Sequence, residues 1–569
     1  MAMNIYFQIL KKWCDRLVEL QITEKSEPEL YGGILCPSCG RIHGRCSDAM
    51  YPMFYMYKET KDRKYKDCAM RLFAWSDNMF HQEGFFYNDT NSNWRGITVF
   101  SASQMGESLL EFGELLTPEE YGRIRNRFEA CAEYLRENIE AIGGNINYPV
   151  TCACTMAIAR AVTGEEKYSQ KARQLAEKAL RHITEDGLLY GEGHDREEIS
   201  AKGCRPVDIG YNVEESLPAL LQYAVLEKDK ETYERTVETM RTHLEFMLPD
   251  GAWDNSTGTR NYKWSYWGSR TSDGCLTGYG LVDDPVFLEA VRRNTLLLAK
   301  CTGDGLLYGG PMFADAGEPA CVHHTLCHAK AFASLLQKAS PENREFPDTL
   351  EKLKSFEEEI LLPSDTRDGV VYFPSMDVLL LGKGDWRATI TGYDVEYCRW
   401  GHASGGAVSL LWNKKQGPVL IGTMGRYEMV EPNNMQLLRN SMPACLTPRI
   451  EYLSGGKCWR NIYDKGAGIT WEEQKNAILV TVTGKMTSED GAAGEDFRLD
   501  YEMSEKRFVI KAYCAFPGTN LILPFVSREN GDGVPRIFSP VGGMLAVEKR
   551  FALTEENGYT CEIPVEIAE

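Results

Sequence analysis

The chain lacks any run of about 18 consecutive uncharged apolar residues, the length from which a membrane-spanning helix is read, so no such helix is expected. It also lacks a surplus of basic charge. Sixty-three Lys and Arg stand against 82 Asp and Glu, a formal charge of −19. A phosphate backbone needs a basic surface to displace its counterions, which excludes nucleic acid as a partner. Met1–Leu20 has no apolar core, because Lys11, Lys12, Asp15, Arg16 and Glu19 interrupt it, and no secretory leader is read there. The 18 Cys are scattered, many of them in helix-like runs, which suggests reduced thiols acting as small core residues in a cytoplasmic protein. The zinc-protease pattern H-E-x-x-H is absent as well.

What is present points to a large protein with a sugar-binding surface. A chain of 569 residues exceeds one compact core, so two domains are expected. Aromatics make up 11%, with 11 Trp and 28 Tyr, and such rings offer flat apolar platforms for sugar faces. Against an acidic background, isolated Arg residues in aromatic loops stand out as anion clamps.

Residues 1–345 alternate amphipathic stretches with loops rich in Gly, Asn, Asp and aromatics. Apolar spacing at three and four predicts helices over Ala49–Tyr57, Ala102–Leu116, Tyr121–Ile139, Thr155–Thr163, Lys171–Ile183, Leu217–Leu226, Tyr233–Met247, Pro285–Lys300 and Cys327–Leu336. A turn signature recurs after helices: Glu83-Gly-Phe-Phe-Tyr87, Asp186-Gly-Leu-Leu-Tyr190, Asp250-Gly-Ala-Trp253 and Asp304-Gly-Leu-Leu-Tyr308. One unit repeated predicts an (α/α)6 toroid whose inner helices line a funnel. Residues 346–369 are a charged, Pro-punctuated linker. Residues 370–569 carry short β-branched and aromatic runs between Gly, Asn and Asp turns, such as Ala407–Trp412 and Ile478–Thr483, and predict an antiparallel β-sandwich. Strands in a block after helices make the fold class α+β multidomain.

Several loops before inner helices carry chemistry. Arg205-Pro-Val-Asp-Ile-Gly-Tyr-Asn-Val-Glu-Glu-Ser216 places Asp208, Tyr211, Asn212 and Glu214 around a helix start. With Glu192 and Asp273, these acids offer the two carboxyl groups a glycosidase needs across the scissile bond. The plain alternative for Asp208 or Asp273 is helix capping. Trp94 and Arg95 end an Asn-rich turn, where they would form a stacking platform and a carboxylate clamp. Asn147 and Tyr148 start another helix and face its mouth. Lys263, Trp264, Trp267 and Arg270 form an aromatic and cationic loop suited to a uronate ring. His323 and His324 start the Cys321–His328 segment, His324 as a general base and His323 as a hydroxyl ligand. Tyr393 is placed to reach the toroid mouth from the β domain, or else to be an ordinary sheet residue.

Cys36, Cys39, His43 and Cys46 follow C-x2-C-x3-H-x2-C spacing. Four soft ligands within so short a span can close a tetrahedral structural zinc. The plain alternative is a reduced loop in which His43 and Arg45 line the pocket. No cofactor is required beyond this possible zinc.

The toroid loops, followed by Gly384-Asp-Trp-Arg with Gly392-Tyr393, His402-Ala-Ser-Gly-Gly and Glu431-Pro-Asn-Asn-Met-Gln436, resemble the heparinase II/III-like superfamily. That resemblance implies a toroid joined to an antiparallel β-sandwich and action on uronate-containing polysaccharides. Lyases of this group carry an Asn-His start to an inner helix, with a catalytic Tyr and a His. Here the matching start reads Asn147-Tyr148-Pro149 and its His is missing, while Tyr211 stands where the lyase Tyr would be. Within the same architecture, the acid-rich loops are most similar to glycoside hydrolase family 154 β-glucuronidases.

The first expectation is therefore an exo-glycoside hydrolase that releases β-linked glucuronate from oligosaccharides. The alternative is a uronate-specific lyase, with Tyr211 and a His removing the C5 proton and Arg270 and His324 completing the site. The third is a non-catalytic sugar-binding protein. The expected partner is a uronate-containing oligosaccharide, with homo-oligomers left open.

Overall fold

The computed structural model describes residues 4–89, 92–193, 195–263, 275–310, 317, 319–354, 360–422, 424–426, 442–443, 445–527, 537–538 and 545–566. Helix α1 (Ile5–Leu20) comes first and stands on the outside. Inner and outer helices then alternate. Inner α2 (Met50–Thr60) is followed by outer α3 (Arg63–Trp75), α4 (Thr98–Phe112) by α5 (Pro118–Ile142), and α6 (Asn147–Thr163) by α7 (Glu166–Leu180). Next come α8 (Ile209–Tyr211) and α9 (Leu217–Leu226) with outer α10 (Lys230–His243), then α11 (Leu276–Tyr279) with outer α12 (Pro285–Lys300), and last the inner α13 (Val322–Lys338).

Contacts between successive inner helices run α2–α4–α6–α9–α11–α13 and return from α13 to α2, so among the described residues the ring closes with six inner members. The outer partner of α13 is α1, where Trp13 meets Phe332 edge-on at 5.0 Å. Local sequence explains the two layers. In α7 only Tyr168, Ser169, Ala172, Leu175, Ala176, Ala179 and Leu180 are buried, a single stripe at helical spacing. In α13 almost every residue is buried, as expected for a helix enclosed by neighbours.

The repeated Gly-aromatic signature is the joint of this ring. Each of the four copies makes a tight turn whose glycine has positive φ: Gly84, Gly187, Gly251 and Gly305. The turns also press on the next outer helix. A Cβ on Gly251 would lie 2.5 Å from the backbone of Arg293 in α12, and one on Gly305 would lie 2.7 Å from Arg16 in α1. The Gly305 turn therefore seats the end of the repeat on its beginning.

Among the described residues, fourteen strands between Gly369 and Val565 form one antiparallel sheet that folds over on itself, and Met442–Pro443 pairs separately, in parallel, with Ile537–Phe538. Strand Val378–Lys383 is buried on both sides, and its alternation separates two cores. Leu379 and Leu381 pack inside the sandwich with Val480, Leu499 and Tyr501, whereas Val378 and Leu380 join the helical core. The sandwich thus rests directly on the toroid. Polar ties fix the docking: Ser256 donates to Ser409 at 2.8 Å, Trp412 Nε1 to Asp250 at 3.2 Å, and Arg205 N to the Ser375 carbonyl at 2.8 Å.

Candidate active site

Six segments converge where the sandwich meets the starts of α6 and α8. At the centre, the Arg260 guanidinium lies flat against the Tyr211 ring, 3.3 Å from its centroid, and is ion-paired with Glu192. All three are buried, with Glu192 at 0%, Arg260 at 3% and Tyr211 at 6% exposure. Burial pushes the Glu192 carboxyl up to about 7; Arg260 opposes the rise, and Asp208 and Glu215 add to it.

Around this pair stand residues from both domains. Asn147 Nδ2 donates to Glu215 at 2.6 Å. The half-exposed Tyr148 accepts from Trp94 Nε1 at 3.0 Å, and the two rings meet edge-to-face. From the sandwich, Tyr397 presents its ring 5.6 Å from the Arg260 guanidinium, and its hydroxyl accepts from Asn145 Nδ2 at 3.3 Å. Asn145 Oδ1 in turn holds the Gly193 amide at 2.9 Å, next to Glu192. The result is a half-exposed aromatic rim of Trp94, Tyr148 and Tyr397 beside a buried cation, phenol and carboxyl.

A local helical irregularity shapes the floor. Between α8 and α9, residues Asn212–Ser216 form a π turn. Such turns insert an extra residue and occur often at functional sites. Here Glu214 and Glu215 both line a cavity of about 20 Å³, with Gln104, Thr151, Gln222 and Lys330 also in its wall. That volume holds one water. Deeper still, Glu107 is paired with Lys330 at 3.3 Å and Lys338 at 2.8 Å. Burial alone would raise its pKa, but the two ammonium groups bring it down to about 2.

Several expected site residues have other duties. Asp208 is the N-cap of α8: one oxygen accepts from Tyr211 N at 3.0 Å, the other from Arg260 N at 2.8 Å and Asn255 Nδ2 at 3.2 Å. A fully buried carboxylate held by three N–H donors shapes the site and is not placed as its acid. Asn212 turns away from the mouth, with Nδ2 donating to the Leu189 carbonyl at 2.7 Å and facing His243 Nε2 at 3.0 Å. Arg95 is exposed and lies over the Phe85 ring at 4.3 Å with Tyr134 as hydrogen-bond partner, so its charge is spent on the toroid wall. Tyr393 is fully buried, its hydroxyl accepting from Val207 N at 2.9 Å and donating to the Arg205 carbonyl at 2.7 Å. It clamps the 205–208 segment and does not reach substrate.

Glu214 lies below the mouth, 3.8 Å from His328 Nε2. His323 and His324 are buried at the start of α13, His323 stacked on His43 at 5.5 Å. Lys263 ends the short helix Asn261–Lys263, and its side chain lies outside the described residues, as do Trp264, Trp267, Arg270 and Asp273. Of the expected metal ligands, Cys36, Cys39 and His43 come together, their ligand atoms all within 4.8 Å of one another. Cys46 is not in that group; it is fully buried, with its thiol bonded to the Ile34 backbone.

Arg260, Glu215, Asn145 and Tyr397 were not anticipated. Arg260 carries a usable signal, since it is an isolated Arg at the head of the same aromatic loop that holds Arg270. Tyr397 carried none, because nothing local tells which sandwich loop faces the toroid.

The ulvan lyase N-terminal domain model matches residues 10–352, and the ulvan lyase C-terminal domain model matches residues 370–534. A broad-specificity ulvan lyase from Formosa agariphila is 36% identical over 543 residues, covering 92% of this chain and 83% of that protein. Among solved structures, the Streptomyces coelicolor A3 chondroitin AC lyase in complex with chondroitin sulphate aligns with a TM-score of 0.51 at 10% identity. That alignment covers 93% of this chain and 69% of the other, and shows the shared fold.

The resemblance to the toroid-plus-sandwich superfamily therefore stands, and so does an enzyme of polysaccharide degradation. The closer likeness to family 154 β-glucuronidases does not. The expected exo-glycoside hydrolase is overturned by the match of both lyase domain models and of a lyase along nearly the whole chain. Of the four carboxylates expected to supply a hydrolytic pair, Asp208 is a helix cap, Glu192 is paired with Arg260, Glu214 lies beside His328, and Asp273 is outside the described residues. By these matches, the chain belongs to the ulvan lyase family.

Proposed function

We propose that this chain is a polysaccharide lyase that cleaves a uronate-containing polysaccharide of the ulvan type by β-elimination. The observation that carries the reading is the Tyr211–Arg260 stack at the toroid mouth, in a chain 36% identical to an ulvan lyase. Elimination needs one base at C5, a means of neutralising the neighbouring carboxylate, and a proton for the leaving oxygen. Tyr211 is the base. Acting as the phenolate beside Arg260, its oxygen takes the C5 proton, the C4–O bond breaks as a C4–C5 double bond forms, and the resulting phenol gives that proton to the departing oxygen, which restores the phenolate. Arg260 stabilises the negative charge that moves across this site, in surroundings dry enough to strengthen the attraction.

Glu192 holds the Arg260 guanidinium in place through their ion pair, and its carboxyl, raised to about 7 by burial, gives the site a protonation step near neutral pH. Trp94 and Tyr148 form the sugar platform. Asn147, whose buried Oδ1 has no hydrogen-bond partner among the described residues, faces a substrate hydroxyl.

The test is incubation with ulvan while following both new reducing ends and near-ultraviolet absorbance from a conjugated double bond. Elimination raises both together. New reducing ends without the absorbance would overturn the proposal.

A further inference from the structure

The three-residue cluster on the loop between α1 and α2 lacks a fourth ligand within its own segment, and the fold supplies one from the far end of the toroid. Cys321, the N-cap of α13, brings its sulphur to 3.9 Å from Cys36 Sγ and 3.6 Å from His43 Nε2. Cys39 Sγ lies 3.3 Å from the same His43 nitrogen. Zn–S bonds of about 2.3 Å and Zn–N bonds of about 2.0–2.1 Å, arranged tetrahedrally, set S···S near 3.8 Å and S···N near 3.5 Å. The separations of Cys321 from Cys36 and His43, and of Cys39 from His43, agree with such a site. We infer that Cys36, Cys39, His43 and Cys321 bind one structural zinc ion, with Cys321 in the place that sequence spacing had assigned to Cys46.

The backbone is already folded for this role. Gly40 N donates to the Cys36 carbonyl at 2.9 Å, and Cys36 N to the Arg41 carbonyl at 2.8 Å, so the Cys36–Cys39 segment turns back on itself. Gly40 takes a φ of +64°, which lets that turn close. Cys36 and Cys321 are fully or almost fully buried. Four protein ligands leave no open position, so the ion is structural and takes no part in the reaction.

Its place gives it a definite task. The ligands are 285 residues apart at Cys36 and Cys321 and join the segment before the first inner helix to the start of the last one. The zinc is a clasp across the closure of the ring. It also fixes the His43 ring that stacks on His323, and through the following turn it sets Arg45, which pairs with Asp48 at 2.6 Å and lies 4.5 Å over Phe100. Phe100 lines the central cavity together with Glu214 and Glu215.

The experiment is metal analysis of the purified full-length chain, with X-ray absorption at the zinc edge and the variants Cys321→Ser and Cys46→Ser. One zinc per chain with three sulphur and one nitrogen neighbours is expected, lost in Cys321→Ser and kept in Cys46→Ser. If Cys321→Ser fails to fold, the absorption spectrum of the unaltered protein and zinc retention in Cys46→Ser still decide. Zinc lost in Cys46→Ser but kept in Cys321→Ser would overturn this ligand set. Absence of zinc, with the four residues metal-free or with Cys36 and Cys321 joined as a disulfide, would overturn the site.

Discussion

Arg260 covers the face of Tyr211 at 3.3 Å while its own backbone amide is held by Asp208, the residue that caps the helix carrying Tyr211. Cation, phenol and helix start are therefore fixed to one another as a unit. The carboxylate that looked like an acid catalyst in sequence is the part that positions the other two.

Removing the phenol oxygen is the sharpest change to the chemistry. Tyr211→Phe keeps the ring under Arg260, so its melting temperature is expected to stay close to that of the unaltered protein. Its kcat is expected to fall by about 10²–10⁴-fold, the usual contribution of a positioned base. Retained turnover would assign the base elsewhere.

Glu192 gives stability a pH signature. Its carboxyl is raised from 4.5 to about 7 in the folded state, mainly by burial. Below its ordinary value the group is protonated whether the chain is folded or not. As pH rises toward 7 the unfolded chain releases the proton while the folded chain keeps it, so stability declines across that window and levels off above it. Against Glu192→Gln, which cannot titrate, the unaltered protein is expected to lose on the order of 3 kcal/mol over this range. Denaturation midpoints measured from pH 4 to 8 check this, and parallel curves would contradict it.

Asp208→Ala removes a cap and leaves buried N–H groups without an acceptor. A loss of about 2 kcal/mol in urea unfolding is expected, with activity recovering at low temperature where the fold is intact. Full stability with abolished turnover would instead make Asp208 a catalytic group.

Gly305→Ala tests ring closure. The residue sits at φ +73°, and a methyl there meets Arg16 of α1. A loss of about 1–3 kcal/mol is expected. The same substitution at Gly122 within α5, where an added Cβ meets nothing within 4 Å, should be close to neutral or slightly stabilising.

Much of the architecture was readable from the chain. Pro285–Lys300 and Leu217–Leu226 fall where apolar spacing put them, because each is flanked by a clear start signal and packs along a continuous apolar face. Helices α1 and α3 were not among the expected ones. Lys11, Lys12, Asp15 and Arg16 break up α1, and Arg63, Lys64, Lys66 and Asp67 crowd the start of α3, hiding stripes that become obvious only once an outer layer is in place.

The site was legible as a set of loops but not as roles. Tyr211 and Glu192 stand out in the sequence because they lie among glycines and aromatics, and they do converge. Asp208, Asn212 and Arg95 carried the same local flavour, yet their partners, Arg260 N, His243 and Tyr134, lie 52, 31 and 39 positions away in the chain. Cys321 shows the same limit, since a ligand 285 residues from Cys36 leaves no trace in local spacing.

Digestion of ulvan in water enriched in ¹⁸O, followed by mass spectrometry of the released oligosaccharides, separates elimination from hydrolysis at the level of atoms. Products formed with Tyr211 as base should carry an unsaturated terminal uronate, together weigh no more than the starting chain, and contain no label fixed at the cleaved bond. Saturated products that gain one labelled water per cut would contradict the elimination mechanism outright.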